Sequence, residues 1–279
     1  MPQPEHLDPG AYAADQPASV AQSGQRVGAL LIHGYTGSVA ETRPMGEYLA
    51  ARGLAIRCPL LPGHGTTPED MNHVRWQEWV TEVETALKDL QRGCDTVFVG
   101  GLSMGSLLTL WLGAQHAEIS GLITMAPAVR VQNRLLPLSL LLRHVLTYNP
   151  FESIGDDDLG DPAAADRIWC YDKTPLWGAG ELFLLQRKVV RALPGIRQPM
   201  LIIQGRRDPM VHPQAAQILY DTIGSTDKRV IWLENSGHNV LADGERKSVW
   251  EQCYDWIVQH TGQAHVGPSA GPGSEGENR

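Results

Sequence analysis

One serine, Ser103, stands between two glycines in the run Gly101-Leu102-Ser103-Met104-Gly105. A serine hydroxyl becomes a useful nucleophile only when a base takes its proton, and a histidine oriented by an acid commonly does this. The chain offers both partners further on. Leu201-Ile202-Ile203-Gln204-Gly205-Arg206-Arg207-Asp208 is an apolar run that ends in an aspartate. Val230-Ile231-Trp232-Leu233 leads through Glu234-Asn235-Ser236-Gly237 to His238. Ser103 as nucleophile, His238 as base and Asp208 as its orienting acid would together perform acyl transfer. The transfer creates an oxyanion, which needs N–H donors aimed at it.

Such groups work only if rigid elements hold them together. Residues 95–100 read as a strand, and Leu107 to Leu112 as a buried helix. Between them the chain must turn sharply. A side chain at 101 or 105 would collide with a neighbouring element, so glycine is expected at both places. Val27 to Ile32 is apolar throughout, which predicts a strand buried on both faces. A helix is expected over 42–52, a strand over 54–58 and an amphipathic helix over 75–92. Trp76, Trp79, Val80, Val83, Leu87 and Leu90 form the apolar face of that last helix. Strands over 122–125, 199–204 and 229–233 and helices over 213–223 and 245–260 complete the alternation. Strand–helix alternation predicts a mostly parallel sheet covered on both faces. Each of the three reactive residues then falls just past the C-terminal end of a strand, where open α/β sheets bind ligands.

The span 129–195 has no strand-like run and interrupts this alternation. It carries Leu135 to Leu142, the acidic triplet Asp156-Asp157-Asp158 and a helix from Glu181 to Arg191. It is expected to be a helical cap, with residues 26–128 and 196–261 forming the core. Residues 1–25 are expected to be a flexible arm, and the Gly-, Pro- and Ser-rich stretch 262–279 a disordered tail.

With 279 residues, 42% of them hydrophobic, the chain can bury a substantial core. A net charge of −8 argues against nucleic acid as a partner, since that needs clustered Lys and Arg. No stretch is long and apolar enough to span a bilayer, and Met1 to His6 lack a signal peptide's pattern. The four cysteines lack metal-type spacing and read as reduced thiols. The ten histidines form no ligand cluster, so no metal site and no cofactor are expected. A cytoplasmic protein, monomeric or homodimeric, is the expectation.

Four motifs stand out: Leu31-Ile32-His33-Gly34-Tyr35-Thr36-Gly37, Pro62-Gly63-His64-Gly65-Thr66, the glycine–serine–glycine run around Ser103, and Trp232 to His238. Together they resemble the α/β-hydrolase superfamily and, more narrowly, small bacterial carboxylesterases and monoacylglycerol lipases. Ser153-Ile154-Gly155 and Tyr171-Asp172-Lys173-Thr174-Pro175 extend the likeness into the cap. The chain departs from the family pattern at Ser106, where a further glycine is usual, and at Gly237, where a bulkier residue is frequent. The resemblance implies the α/β-hydrolase fold and hydrolysis of short- to medium-chain acyl esters, monoacylglycerols among them, through an acyl-enzyme. It implies an oxyanion hole made by the backbone N–H groups of Tyr35 and Met104. It also implies that Ile154 and Asp166 contact the substrate. His33 and His64 are expected to be structural. A different acyl or carbon–carbon bond hydrolase using the same triad is the alternative, as is a non-catalytic ligand-binding relative. Aspartate-nucleophile chemistry is excluded, because position 103 is serine.

Overall fold

Alternate residues of the central strands face opposite ways, and both sets are buried. Leu30 and Ile32 join one apolar layer, Ala29 and Leu31 the other. This two-faced burial explains why Val27 to Ile32 is apolar without a break. The computed structural model describes residues 10–15, 24–149 and 159–261.

Seven strands form one sheet in the order β1-β3-β2-β4-β5-β6-β7. They are β1 (Tyr12–Ala14), β2 (Val27–Ile32), β3 (Ala55–Cys58), β4 (Thr96–Leu102), β5 (Gly121–Met125), β6 (Met200–Gly205) and β7 (Lys228–Leu233). All pairings are parallel except that of β1 with β3. The helices are α1 (Arg43–Ala50), α2 (Pro68–Met71), α3 (Trp76–Gln91), α4 (Met104–Gln115), α5 (Ser139–Leu142), α6 (Leu176–Ala192), α7 (Ala215–Thr222) and α8 (Arg246–His260). Helices α3, α4, α6 and α7 contribute to one apolar layer, α1 and α8 to the other. No described helix is long and apolar enough to cross a membrane.

The helical spacing from Trp76 onward was legible. All six residues of the expected apolar face are buried. The expected arm, in contrast, holds an element. Tyr12–Ala14 pair antiparallel with β3, Tyr12 opposite Cys58. Three residues are too few to display a period, so pattern reading passes over them. Tyr12 is fixed from outside, by the apolar layer beneath it and by the Arg43 guanidinium 5.2 Å from its ring. The helix expected from Glu181 begins earlier, at Leu176, and the added stretch buries Leu176, Gly178, Ala179 and Gly180. Pro175 sits at its N-cap and sets where it starts.

Between β5 and β6 the described residues add no strand to the sheet. This span is tied to the body by specific bonds. Tyr171 N–H donates to Thr36 O at 3.0 Å, and its hydroxyl donates to Gly63 O at 2.8 Å. Glu181, buried on α6, accepts the Trp76 N–H at 3.1 Å and Arg143 Nη1 at 2.9 Å. Residues 159–161 are held by Asp243, which accepts the N–H groups of Gly160 and Asp161, each at 2.8 Å.

Candidate active site

Strand β4 ends at Leu102 and helix α4 begins at Met104, leaving Ser103 alone to make the turn. Its φ of 55° and ψ of −111° are strained for a residue with a side chain. Strain of this kind costs roughly 1–3 kcal/mol and persists only where the surroundings enforce it. They do so here. A Cβ on Gly101 would lie 2.2 Å from Gly105 O, and one on Gly105 would lie 2.1 Å from Ile32 O. Glycine at both positions is therefore a steric requirement of β4, β2 and α4 meeting so closely. Ser103 N–H donates to Met125 O at 2.8 Å, which anchors the turn on β5.

Ser106, the departure from the family pattern, is fully buried. Its hydroxyl accepts the Met125 N–H at 3.0 Å and lies 2.7 Å from Gly101 O and 2.9 Å from Met125 O, to either of which it donates. The hydroxyl thus fastens the first turn of α4 to the strands flanking Ser103.

The loops after β6 and β7 bring Asp208 and His238 together. His238 Nδ1 is 2.9 Å from Asp208 Oδ2. Asp208 Oδ1 accepts the N–H groups of Met210 and Val211, and Oδ2 also accepts Gln204 Nε2. Burial works to raise the Asp208 carboxyl. The charge and hydrogen bond of His238 and the two backbone N–H groups outweigh it and hold the carboxyl below its ordinary value. An ionised carboxylate only accepts, so Nδ1 carries the hydrogen, and in the neutral imidazole Nε2 is the atom whose lone pair can act as a base. Asp243 accepts the Gly237 N–H at 2.7 Å and Glu245 accepts the Ser236 hydroxyl at 2.7 Å, which fixes the loop on both sides of its turn.

The loop after β2 completes the site. His33 Nε2 accepts the Leu61 N–H at 3.1 Å, so Nδ1 is the donor to Gly34 O. Burial pushes its imidazole down to about 4. Burial also lowers His64, with the neighbouring His33 acting in the same direction. Both are neutral, buried rings, packed edge to face 4.8 Å apart. Thr36 has a φ of 64°, an uncommon value for a β-branched residue, and its carbonyl is the one held by Tyr171. The Tyr35 hydroxyl donates to Pro175 O at 2.6 Å.

Ser103, His238, Tyr35 and Thr36 line one cavity of about 490 Å³. That size is typical of small-molecule sites. The rest of the wall is mostly apolar, with Val131, Leu142, Leu176, Leu182, Pro209 and Val211. No Asp, Glu, Lys or Arg lines it among the described residues. Leu135 and Leu138 reach the solvent while lining it, at 58% and 45% exposed, so the mouth is apolar too.

Two sequence-derived candidates are not part of this constellation. Asp166 is exposed in the 3-10 turn Pro162–Arg167 and does not line the cavity. The Asp243 bonds to Gly160 and Asp161, together with Arg167 Nη1 on Ala242 O, orient that turn against the histidine loop. Ile154, with the triplet at 156–158, lies outside the described residues. Sequence reading missed Gln204, Glu41 and Asn239. Gln204 could have been suspected as the one polar side chain closing an apolar strand. Glu41 and Asn239 carry no such signal.

A family model described as serine aminopeptidase, S33, matches residues 25–245. The chain is 34% identical to a thermostable monoacylglycerol lipase of Bacillus sp. (strain H-257), over 85% of this chain and 92% of that protein. It is 28% identical to a carboxylesterase of Bacillus subtilis (strain 168), over 82% and 91%. Among solved structures, one from work on LipS and LipT, two metagenome-derived lipolytic enzymes, superimposes with a TM-score of 0.79. That pair is 30% identical and covers 90% of this chain and 98% of the other. With the seven-stranded sheet, the strained serine between β4 and α4 and the length of these matches, the chain belongs to the serine aminopeptidase S33 family of α/β hydrolases.

Proposed function

We propose that this protein hydrolyses carboxylic esters of short to medium acyl chains, monoacylglycerols among them, through an acyl-enzyme. The observation that carries the reading is the 2.9 Å contact of His238 with an ionised Asp208, beside an apolar cavity that His238 shares with Ser103. In this reading Ser103 Oγ attacks the ester carbonyl while His238 Nε2 takes its proton. The tetrahedral intermediate carries its charge toward the N–H groups of Tyr35 and Met104. It collapses when His238 hands the proton to the leaving alcohol. Water then attacks the acyl-serine by the same route, releasing the acid and restoring the hydroxyl. Asp208 stays ionised and stabilises the imidazolium.

The cavity wall favours an ester over a peptide. Recognition of a free α-amino group calls for a carboxylate in the binding wall, and none is present among the described residues. Apolar walls and mouth suit an acyl chain. The span 129–195 supplies many of those walls, which supports its role as a cap over the site. The relatives' names, monoacylglycerol lipase and carboxylesterase, point the same way. The buried thiols of Cys58 and Cys253 fit a reducing compartment and hence the cytoplasm. A monomer or homodimer is part of the same reading.

The test offers p-nitrophenyl butyrate, monolaurin and leucine p-nitroanilide to the parent chain and to Ser103→Ala. Turnover of both esters, with a loss of roughly 10³-fold or more in the variant, is the expected result. Turnover of the anilide without the esters, or equal rates in the variant, would overturn the reading.

A further inference from the structure

The triad makes no use of Glu41, a carboxyl only 8% exposed. It ends the 3-10 turn Val39–Glu41 that follows the His33–Gly37 loop. A buried carboxyl is costly unless hydrogen bonds meet its oxygens. Glu41 Oε2 accepts the Gly34 N–H at 2.9 Å, and Oε1 accepts Asn239 Nδ2 at 3.2 Å. Gly34 immediately precedes Tyr35, the proposed oxyanion donor. Asn239 immediately follows His238, the proposed base. One side chain therefore bridges the two loops on which the reaction depends, reaching Asn239 198 residues further along the sequence.

The first of these loops is shaped around that carboxyl. A Cβ on Gly37 would sit 2.5 Å from the Glu41 carboxyl carbon. A Cβ on Gly34 would sit 3.4 Å from Oε2 and 3.5 Å from the Ser103 Cβ. The carboxyl fills the hollow behind the loop, within one residue's width of the nucleophile. Burial pushes it up to about 7, while the Gly34 N–H and the charge of His238 pull it down. Asn239 Oδ1 is buried without a hydrogen-bond partner among the described residues. If the amide turns over, that oxygen can accept from a donor at position 41.

We propose that Glu41 is a positioning residue of this hydrolase, a brace that holds the loop bearing the Tyr35 N–H in register with the loop bearing His238. The proposal rests on the serine-hydrolase reading above. It implies that loss of the brace lowers kcat and leaves substrate affinity nearly intact, since Glu41 does not line the cavity. It also implies that a neutral amide at 41 serves almost as well. Gln at 41 keeps an acceptor for the Gly34 N–H and offers its NH₂ to the turned Asn239 Oδ1.

The experiment measures kcat and KM on p-nitrophenyl butyrate, with melting curves, for the parent, Glu41→Ala, Glu41→Gln, Asn239→Ala and the E41A/N239A double variant. For E41A, kcat is expected to fall roughly 20-fold or more, with KM within about threefold, a part of the roughly 10²–10³-fold loss that removal of an oxyanion donor brings. E41Q should recover at least about a third of the parent kcat. N239A should lose about fivefold, and the double variant little more than E41A, because both act through one link. E41A that melts cooperatively and keeps kcat within threefold of the parent overturns the proposal, as does E41Q as impaired as E41A. Should E41A fail to fold, N239A with parental melting and parental kcat overturns it instead. A parent chain that hydrolyses no ester sinks the hydrolase reading and this proposal with it. An active parent with unimpaired variants sinks this proposal alone.

Discussion

The side-chain amide of Gln204 donates a 2.8 Å hydrogen bond to Asp208 Oδ2, the oxygen that also faces His238. The bond leaves Gln204 Oε1 buried without a partner, so the amide is committed to its donor side. Gln204→Leu, of similar size, is expected to cost roughly 1.5–3 kcal/mol, the worth of a hydrogen bond to a charged group. The cost depends on Asp208 being ionised. Its carboxyl is depressed in the folded chain, so the stabilisation is present above the unfolded value, near 3.8, and is lost as pH falls through the lower folded value. The gap in melting temperature between parent and variant should be full at pH 7 and shrink on acidification below about pH 4. A gap that stays constant with pH would place the bond on something other than a carboxylate.

Ser106 predicts a separation of stability from chemistry. Ser106→Ala removes a buried hydroxyl that serves Met125 N–H and one carbonyl. The loss should be about 1–3 kcal/mol, seen as a melting temperature several degrees lower. Rates at 25 °C should stay within about threefold, since the hydroxyl touches strands rather than the cavity. An unchanged melting temperature would contradict the fastening role.

Tyr35 can be tested without disturbing its backbone. Tyr35→Phe deletes the hydroxyl that reaches Pro175 O, and with it one tie between the loop after β2 and the start of α6. The main-chain N–H is retained. KM for a C12 ester should rise several-fold while kcat on a C4 ester changes little, because the altered wall is contributed from the 129–195 span. Equal effects on kcat and KM across chain lengths would argue against a wall effect.

Glu41 should reveal itself in the pH dependence of stability. Its folded value of about 7 lies above the ordinary 4.5, so the folded state binds more protons than the unfolded state between those values. Stability from this group is whole below about 4.5 and is lost as pH rises toward 7. Glu41→Gln carries no such burden. Its melting temperature relative to the parent should therefore climb between pH 4.5 and 7 and level off above. The total change is on the order of 3 kcal/mol. A difference that is flat with pH would show that the carboxyl is not buried as described.

Much of the fold is legible in the sequence, and the reason is local. Val27 to Ile32, Trp76 to Leu90 and the glycines at 101 and 105 each announce their roles through period or sterics within a few residues. Ser103, Asp208 and His238 could be singled out because each lies within a short loop past a strand end, at Leu102, Gly205 and Leu233. What escaped depends on tertiary partners. Tyr12–Ala14 are held by β3 and Arg43, Glu41 by Asn239, and the turn carrying Asp166 follows a segment tied to Asp243 through Gly160 and Asp161. None of these contacts has a sequence period. The interruption of the alternation between 129 and 195 could be recognised, but not that Tyr35 and Tyr171 would stitch it to the body.

The short antiparallel ribbon at Tyr12–Ala14 does more than lengthen the sheet by one member. It occupies the outer main-chain donors and acceptors of Ala55–Cys58, which would otherwise be a bare rail for strands of other chains. At the opposite border, Lys228 and Arg229 place cations on the last strand, a common deterrent to such pairing. Clipping the chain ahead of Gln25 would leave Ser103, Asp208 and His238 in place and remove one of these two guards, so solubility would fail sooner than turnover.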